Sequence, residues 1–505
     1  MNKINISLIL LFQLNIVLCA RILVVLPGPG YSQYMLAKPL VKALLQRGHY
    51  ITVISGFQTD NHENLKQIKL KLEDVIPMSP DEFFSVQDMS IFSIITMFQD
   101  MATDLTENLL VNPEVQQLLK GKEKFDMVIV ETLYNEAHLA FANHFNAHLV
   151  LFNSMGINEW TSDLVGNPIL PSYFPHSSIG YSTYMSFKER FRNSIAMWFD
   201  LFHKHYFQYP IQQQLVDKYF PEKLNLDQII HNASLLLTCS HVSTGEAQPL
   251  TTSVVEVGGL HIVNKTIPEK ILSYLDSATE GVIFFSLGSN VQSTSLPKQL
   301  ILDIIKTFGT LKQKVLWKFE NESYKDIPEN VMISKWFPQS DILSHPNTIL
   351  FITHCGLGST TETIYHGVPV LGIPVFADQA MNMRRLKQFG MGLEVPLKNL
   401  SAQSLKYFIQ EIINNPVYAQ NAKKRSRITR DRPMKPLDLA VYWVEYVLKH
   451  EGAHHLKNSL LNLNWFQLYS LDVISVIILL LITFIHLPAF LIKKIRKRNI
   501  KKKLD

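Results

Sequence analysis

Cysteine is nearly absent from this sequence: Cys19, Cys239 and Cys355 are the only three in 505 residues. That excludes a disulfide framework, and with Cys19 inside an N-terminal leader a Cys239–Cys355 bridge is the one pairing left open. Several chemical signatures are missing too. No G-x-x-x-x-G-K-[ST] loop, no His/Cys cluster at metal-ligand spacing and no G-x-S-x-G elbow occurs, so neither a P-loop nucleotidase, a metal hydrolase nor a serine hydrolase is indicated. Nor is the body of the chain basic. The formal net charge is +5, but the last thirteen residues carry a net +7 and everything before them sums to −2. The positive charge is a property of the tail, which excludes a nucleic-acid face.

What is present begins with length. At 505 residues the chain exceeds what one hydrophobic core serves, so two domains with accessory segments are expected. Both ends are apolar. Lys3 followed by an apolar stretch from Ile6 to Leu18 and then Cys19-Ala20 predicts a signal peptide over residues 1–20. Residues 471–492 form a second apolar run, preceded by Trp465 and Tyr469 and followed by Lys493, Lys494, Arg496, Lys497 and Arg498. Twenty-two residues span about 33 Å as a helix, enough for a bilayer. The flanking charges place the tail (493–505) in the cytosol and the remainder across the membrane. The ending Lys502-Lys503-Leu504-Asp505 resembles a dilysine retrieval signal of the endoplasmic reticulum, and Asn232, Asn264, Asn321 and Asn399 open N-x-S/T sequons that suit a luminal body.

The interior is organised around Trp336 to Gln379. Thr348–Thr353 is a short β-branched run that predicts a buried strand. His354-Cys355-Gly356-Leu357-Gly358-Ser359 then turns into a helix reaching Gly367, and Val368–Pro374 predicts a second strand ending at Phe376-Ala377-Asp378-Gln379. A strand, a glycine turn and a helix start make an anion site, because the first-turn amides and the helix dipole favour a phosphate. Arg21–Leu26, the turn Pro27–Gln33, the helical stretch Tyr34–Arg47 and the strand Ile51–Ser55 repeat the pattern as a βαβ unit. A third strand and small-residue turn occurs at Gly281–Ser289.

The Trp336–Gln379 run resembles the donor signature of UDP-dependent glycosyltransferases, matching its spacing at Trp336, Gln339, His354, Gly356, Ser359, Glu362, Asp378 and Gln379. The resemblance runs from about Arg21 to the C-terminus and is closest to the membrane-bound animal enzymes, particularly those of insects. Gly166-Asn167-Pro168 through Pro171-Ser172-Tyr173 and His450–Leu456 are further matches. It implies an α/β protein of two facing Rossmann-like domains (GT-B type) plus one C-terminal transmembrane helix. The expected layout is a 21–250 acceptor domain and a 251–465 UDP-sugar domain with a helix returning to the first.

The resemblance also implies roles. Trp336 stacks uracil, Gln339 meets base or ribose, and Glu362 accepts from the ribose hydroxyls. Ser289, His354, Ser359 and the Gly356 turn hold the diphosphate with help from Lys318, which stands where relatives usually have Arg and lacks its planar fork. Asp378 and Gln379 bind the sugar. UDP-glucose or another UDP-hexose is therefore a co-substrate, with no tightly bound cofactor and no obligatory metal. The aromatic-rich stretches Asp81–Leu110 and Ile179–Gln214 read as helix core, as acceptor-pocket wall in the family, or as a patch against the bilayer.

One departure concerns catalysis. The family's first turn carries its basic His after a Ser, but here the pair is Ser32-Gln33, and the partner Asp is Glu131. Gln cannot take a proton, whereas His titrates near neutrality. Two readings follow: an inverting hexosyltransferase acting on a small lipophilic acceptor, with glucose ahead of glucuronate, or a catalytically silent UDP-sugar binder. Assembly with itself or with active relatives in the membrane is left open.

Overall fold

A computed structural model describes residues 19–72, 86, 89–263, 266–289 and 291–504. Most of the leader, Asn264 and the start of the Asp81–Leu110 stretch lie outside them. The strands are short runs of Val, Ile, Leu and Phe covered on both faces, as strands of helix-flanked parallel sheets must be.

Among the described residues there are two parallel sheets. The first contains β1 (Arg21–Leu26), β2 (Tyr50–Ser55), β3 (Leu65–Lys69), β4 (Met127–Glu131), β5 (His148–Asn153), β6 (Leu235–Thr238) and β7 (Val254–Glu256), in the order 3-2-1-4-5-6-7. The second contains β8 (Val282–Ser286), β9 (Lys314–Lys318), β10 (Val331–Ser334), β11 (Thr348–Thr353), β12 (Val370–Gly372) and β13 (Gly392–Glu394), in the order 10-9-8-11-12-13. Each order reverses once, between β1 and β4 and between β8 and β11. Ligands of such sheets sit beyond the strands' carboxyl ends at that reversal.

The expected boundary at 250/251 needs correction. β7 pairs in parallel with β6, Leu236 opposite Val254 and Thr238 opposite Glu256. Val254 and Val255 bury at the edge of the first sheet, so the crossing to the second domain follows Glu256. The chain later returns as helix Pro436–Lys449, whose Ala440, Val441, Val444 and Val447 complete the first domain's core. Its Glu445 pairs with Arg47 at 3.3 Å. A last helix, Leu471–Leu504, contains a stretch from Leu471 to Lys497 that is long and apolar enough to cross a membrane and is exposed along its length.

Cys239 and Cys355 are free, each buried within its own domain. The sequons at Asn232, Asn321 and Asn399 are exposed. Of the three readings open for the aromatics of 179–214, helix core does not hold for most of them. Helix Phe187–His203 buries Asn193, Ala196, Met197 and Asp200, while Phe187 is 75% and Trp198 63% exposed, and Tyr206 beyond it is 64% exposed. The polar members face inward because Asp200 joins a buried hydrogen-bond network, which turns the aromatic stripe outward.

Candidate active site

Both sheet reversals open onto one cavity of about 1150 Å³ between the domains. On the second domain, β11 ends in a turn where Cys355 adopts φ 64°. That left-handed backbone costs a non-glycine residue on the order of 1–2 kcal/mol. Gly356 then caps α1 (Leu357–His366), whose first-turn amides lack intrahelical partners and face the cavity.

His354 is the centre of this half. Its ring packs over two glycines, so that a Cβ on Gly288 or Gly356 would lie 2.6 or 2.7 Å from Nε2. Burial, reinforced by the Lys318 ammonium, pushes the imidazole down to about 4. It is therefore neutral at physiological pH, an N–H donor without a competing charge. Lys318 pairs with Glu320 at 2.9 Å, and Ser289 follows Gly288 on the cavity wall.

Gln339 donates from Nε2 to Ser359 Oγ at 3.0 Å and to Glu362 Oε2 at 2.7 Å. His261, which sequence reasoning did not single out, approaches the other Glu362 oxygen at 3.3 Å. Trp336 is half exposed, edge-on to Tyr31 of the first domain at 5.5 Å, and offers a free ring face to the cavity. Asp378 accepts from Asn382 Nδ2 at 2.6 Å, and burial raises it to about 6. Gln379 spends its Oε1 on the amides of Val375 and Phe376, leaving its NH2 to donate.

On the first domain, Gln33 begins the helix after β1 and Glu131 ends β4. Gln33 lines the cavity. Glu131 does not, being 1% exposed behind the turn. The carboxylate accepts from Gly28 N at 3.3 Å and from Ser154 Oγ at 2.6 Å, and burial drives it up to about 7. Gln33 Oε1 accepts the Gly30 amide at 3.1 Å, and its Nε2 points to Met155 Sδ at 3.8 Å. A Cβ on Gly28 would lie 2.7 Å from Gln33 Oε1 and 2.8 Å from Glu131 Oε2, so this glycine is required by crowding rather than by its φ. Thus every sequence-predicted site residue except Glu131 meets in one cavity, and Glu131 stands directly behind it.

One stretch of the wall is apolar: Ile95, Phe98, Met101, Ala102 and Leu105 on helix Ile91–Val111, with Tyr134 and Trp160. Behind it lies a buried group that sequence reasoning missed, Glu159, His176 and Asp200, whose ligand-type atoms all lie within 4.8 Å of one another. His176 Nδ1 accepts the Ser178 amide at 3.1 Å, which places the ring proton on Nε2, facing Glu159 at 3.2 Å and Asp200 at 3.8 Å. A protonated Nε2 is a poor metal ligand. The group instead braces the wall, since Tyr134 donates to Asp200 and Ser177 to Glu159.

The profile described as UDP-glucoronosyl and UDP-glucosyl transferase matches residues 20–504. The chain belongs to the UDP-glycosyltransferase family. It is 34% identical to UDP-glucosyltransferase 2 of Dactylopius coccus over 487 residues, 95% of this chain and 93% of that one. It is 32% identical to human UDP-glucuronosyltransferase 2B15 over 537 residues, 99% of each. Among solved structures, a Polygonum tinctorium UDP-glucosyltransferase capable of glucosylating indoxyl aligns with a TM-score of 0.55 at 16% identity, covering 85% of this chain and 98% of that one. This likeness shows the shared GT-B fold. Within that fold, the Gln33 amide occupies the turn beside the buried Glu131 carboxylate.

Proposed function

We propose that this UDP-glycosyltransferase transfers a hexosyl group, glucose ahead of glucuronate, from a UDP-sugar to a small lipophilic acceptor with inversion. The single observation that carries the reading is the continuity of the cavity, from the His354 turn and Trp336 through Asp378 to the apolar wall of helix Ile91–Val111. In this reading uracil stacks on Trp336, and Gln339 and Glu362 serve base and ribose. Ser289, His354, Ser359 and the helix N-terminus take the diphosphate with Lys318, and no obligatory metal or tightly bound cofactor is needed. Asp378 and Gln379 hold the hexose. Glu131 is the carboxylate that ultimately accepts the acceptor's proton, and Gln33 orients the acceptor.

Glucose is favoured over glucuronate for an electrostatic reason. Arg384 is engaged by Glu189 at 3.0 Å, Arg385 lies 3.9 Å from Glu246, and neither lines the cavity. Asp378 would meet a sugar carboxylate with like charge. The exposed aromatic face of helix Phe187–His203 and the terminal apolar helix suit a body resting on a bilayer, luminal in the endoplasmic reticulum, alone or as an oligomer. The silent-binder reading is favoured by Gln33 alone, whose side chain is already engaged at both ends.

Mass analysis of products from membranes given mixed UDP-sugars and phenols tests the proposal: hexosides are expected, and bound UDP-sugar without product refutes transfer. Gly356→Ala is expected to displace the His354 imidazole. Losing a hydrogen bond to a charged group costs about 1.5–3 kcal/mol, so calorimetric UDP affinity should fall about ten- to hundredfold, with acceptor KM unchanged. Unchanged UDP affinity would remove His354 from the diphosphate site.

A further inference from the structure

The proposed reaction leaves one group unassigned, the carrier of the proton between acceptor and Glu131. Glu131 is sealed behind the turn, one oxygen facing the Gly28 amide and the other facing Ser154. Gln33 has no titratable atom. Among the described residues, the imidazoles that line the cavity are His261 and His354, both on the nucleotide side. Among the described residues, Ser154 is the one that both lines the cavity and hydrogen-bonds the Glu131 carboxylate, its hydroxyl donating to Oε1 at 2.6 Å. Its turn is held in place. Asn153 Nδ2 donates to the Gly156 carbonyl at 2.6 Å and to Thr161 Oγ1 at 3.0 Å, while Asn153 Oδ1 accepts from the Met155 amide at 2.8 Å.

We propose that Ser154 relays the acceptor's proton to Glu131, so that a serine and a glutamate replace the missing imidazole. The inference rests on the transferase reading. As the acceptor oxygen bonds to the anomeric carbon, the bond from that carbon to the diphosphate oxygen breaks and UDP departs with the electron pair. The acceptor's proton passes to Ser154 Oγ, and the hydroxyl's own proton passes to Glu131 Oε1. Glu131 ends as the neutral acid and returns its proton through Ser154 to water after product leaves. Burial of Glu131 serves this exchange, because a carboxylate titrating near neutrality both accepts and releases a proton at physiological pH.

The test follows UDP release by the full-length membrane enzyme with phenols graded in acidity, from unsubstituted phenol to one already ionised at the assay pH. Ser154→Ala is expected to lower kcat about 10²-fold or more for un-ionised acceptors, the usual worth of general-base assistance, and to leave the ionised phenol and the UDP-sugar KM nearly unchanged. Ser154→Thr, which keeps the hydroxyl, should recover most of the rate. An equal loss for ionised and un-ionised acceptors, or no loss at all, overturns the relay. Should Ser154→Ala fail to bind UDP, the wild-type proton inventory in mixed light and heavy water decides: a curved plot supports two protons in flight, and a straight line refutes them. A wild type that releases no UDP with any acceptor refutes the transferase reading itself, a result distinct from failure of the relay alone.

Discussion

Glu131→Gln is expected to cut turnover by about 10²–10⁴-fold, the range supplied by a positioned general base, while UDP-sugar binding stays near wild type. The substituted side chain keeps an oxygen for the Gly28 amide and presents an NH2 that Ser154 Oγ can accept, so the turn survives. The pH dependence should separate the two proteins. With the carboxylate at about 7, wild-type kcat/KM rises with pH through that value and then levels. In the glutamine variant that limb disappears. Stability runs the other way. The folded pKa is raised from the ordinary 4.5, so the neutral, buried acid contributes stability below about 4.5 that is lost as pH rises through about 7. At 1.36 kcal/mol per unit this is on the order of 3 kcal/mol. Glu131→Gln should therefore raise the melting temperature above pH 7 while lowering turnover. A full-rate glutamine variant would place the base elsewhere.

Gln33→His is expected to act in the opposite direction, raising turnover of un-ionised phenols and alcohols by about tenfold to 10²-fold. Gln33 Oε1 and Glu131 Oε2 crowd the same point above Gly28, so an imidazole at position 33 is expected to approach the carboxylate from the cavity side. The neighbouring negative charge favours the imidazolium that proton abstraction creates. With an imidazole in place the serine path becomes redundant, and Ser154→Ala should cost much less in the Gln33→His background than alone. That non-additivity is itself measurable as a double-mutant cycle. No gain from Gln33→His, with UDP-sugar binding intact, would show that proton removal does not limit the reaction.

That Trp336 to Gln379 would line one cavity was legible because the residues are contiguous: a strand, a turn, a helix and a strand carry them, and His354, Ser359 and Glu362 come to one wall. Gln33 and Glu131 were legible for a different reason. The family resemblance marked them: Gln33 lies in the first turn of the helix after β1 and Glu131 ends β4, which pairs with β1 in parallel. Three features resisted. β7 is three residues long and its valines cover a sheet edge, so periodicity has too little length to work on. The helix Phe187–His203 has a clear apolar stripe, but periodicity does not say what covers it, and the buried Asp200 network turns it outward. Ser154 and the Glu159–His176–Asp200 group belong to no local pattern, since their partners are brought from β4, from helix Phe187–His203 and from the loops between them.

The most direct measurement of the central claim is UDP release from wild-type membranes as a function of acceptor, beside a Glu362→Ala control whose UDP-sugar KM should rise because the side chain proposed to accept from ribose is lost. Release that requires both UDP-hexose and acceptor, and that falls in the control through KM, is the predicted result. UDP-sugar bound by the wild type without acceptor-dependent release would contradict it.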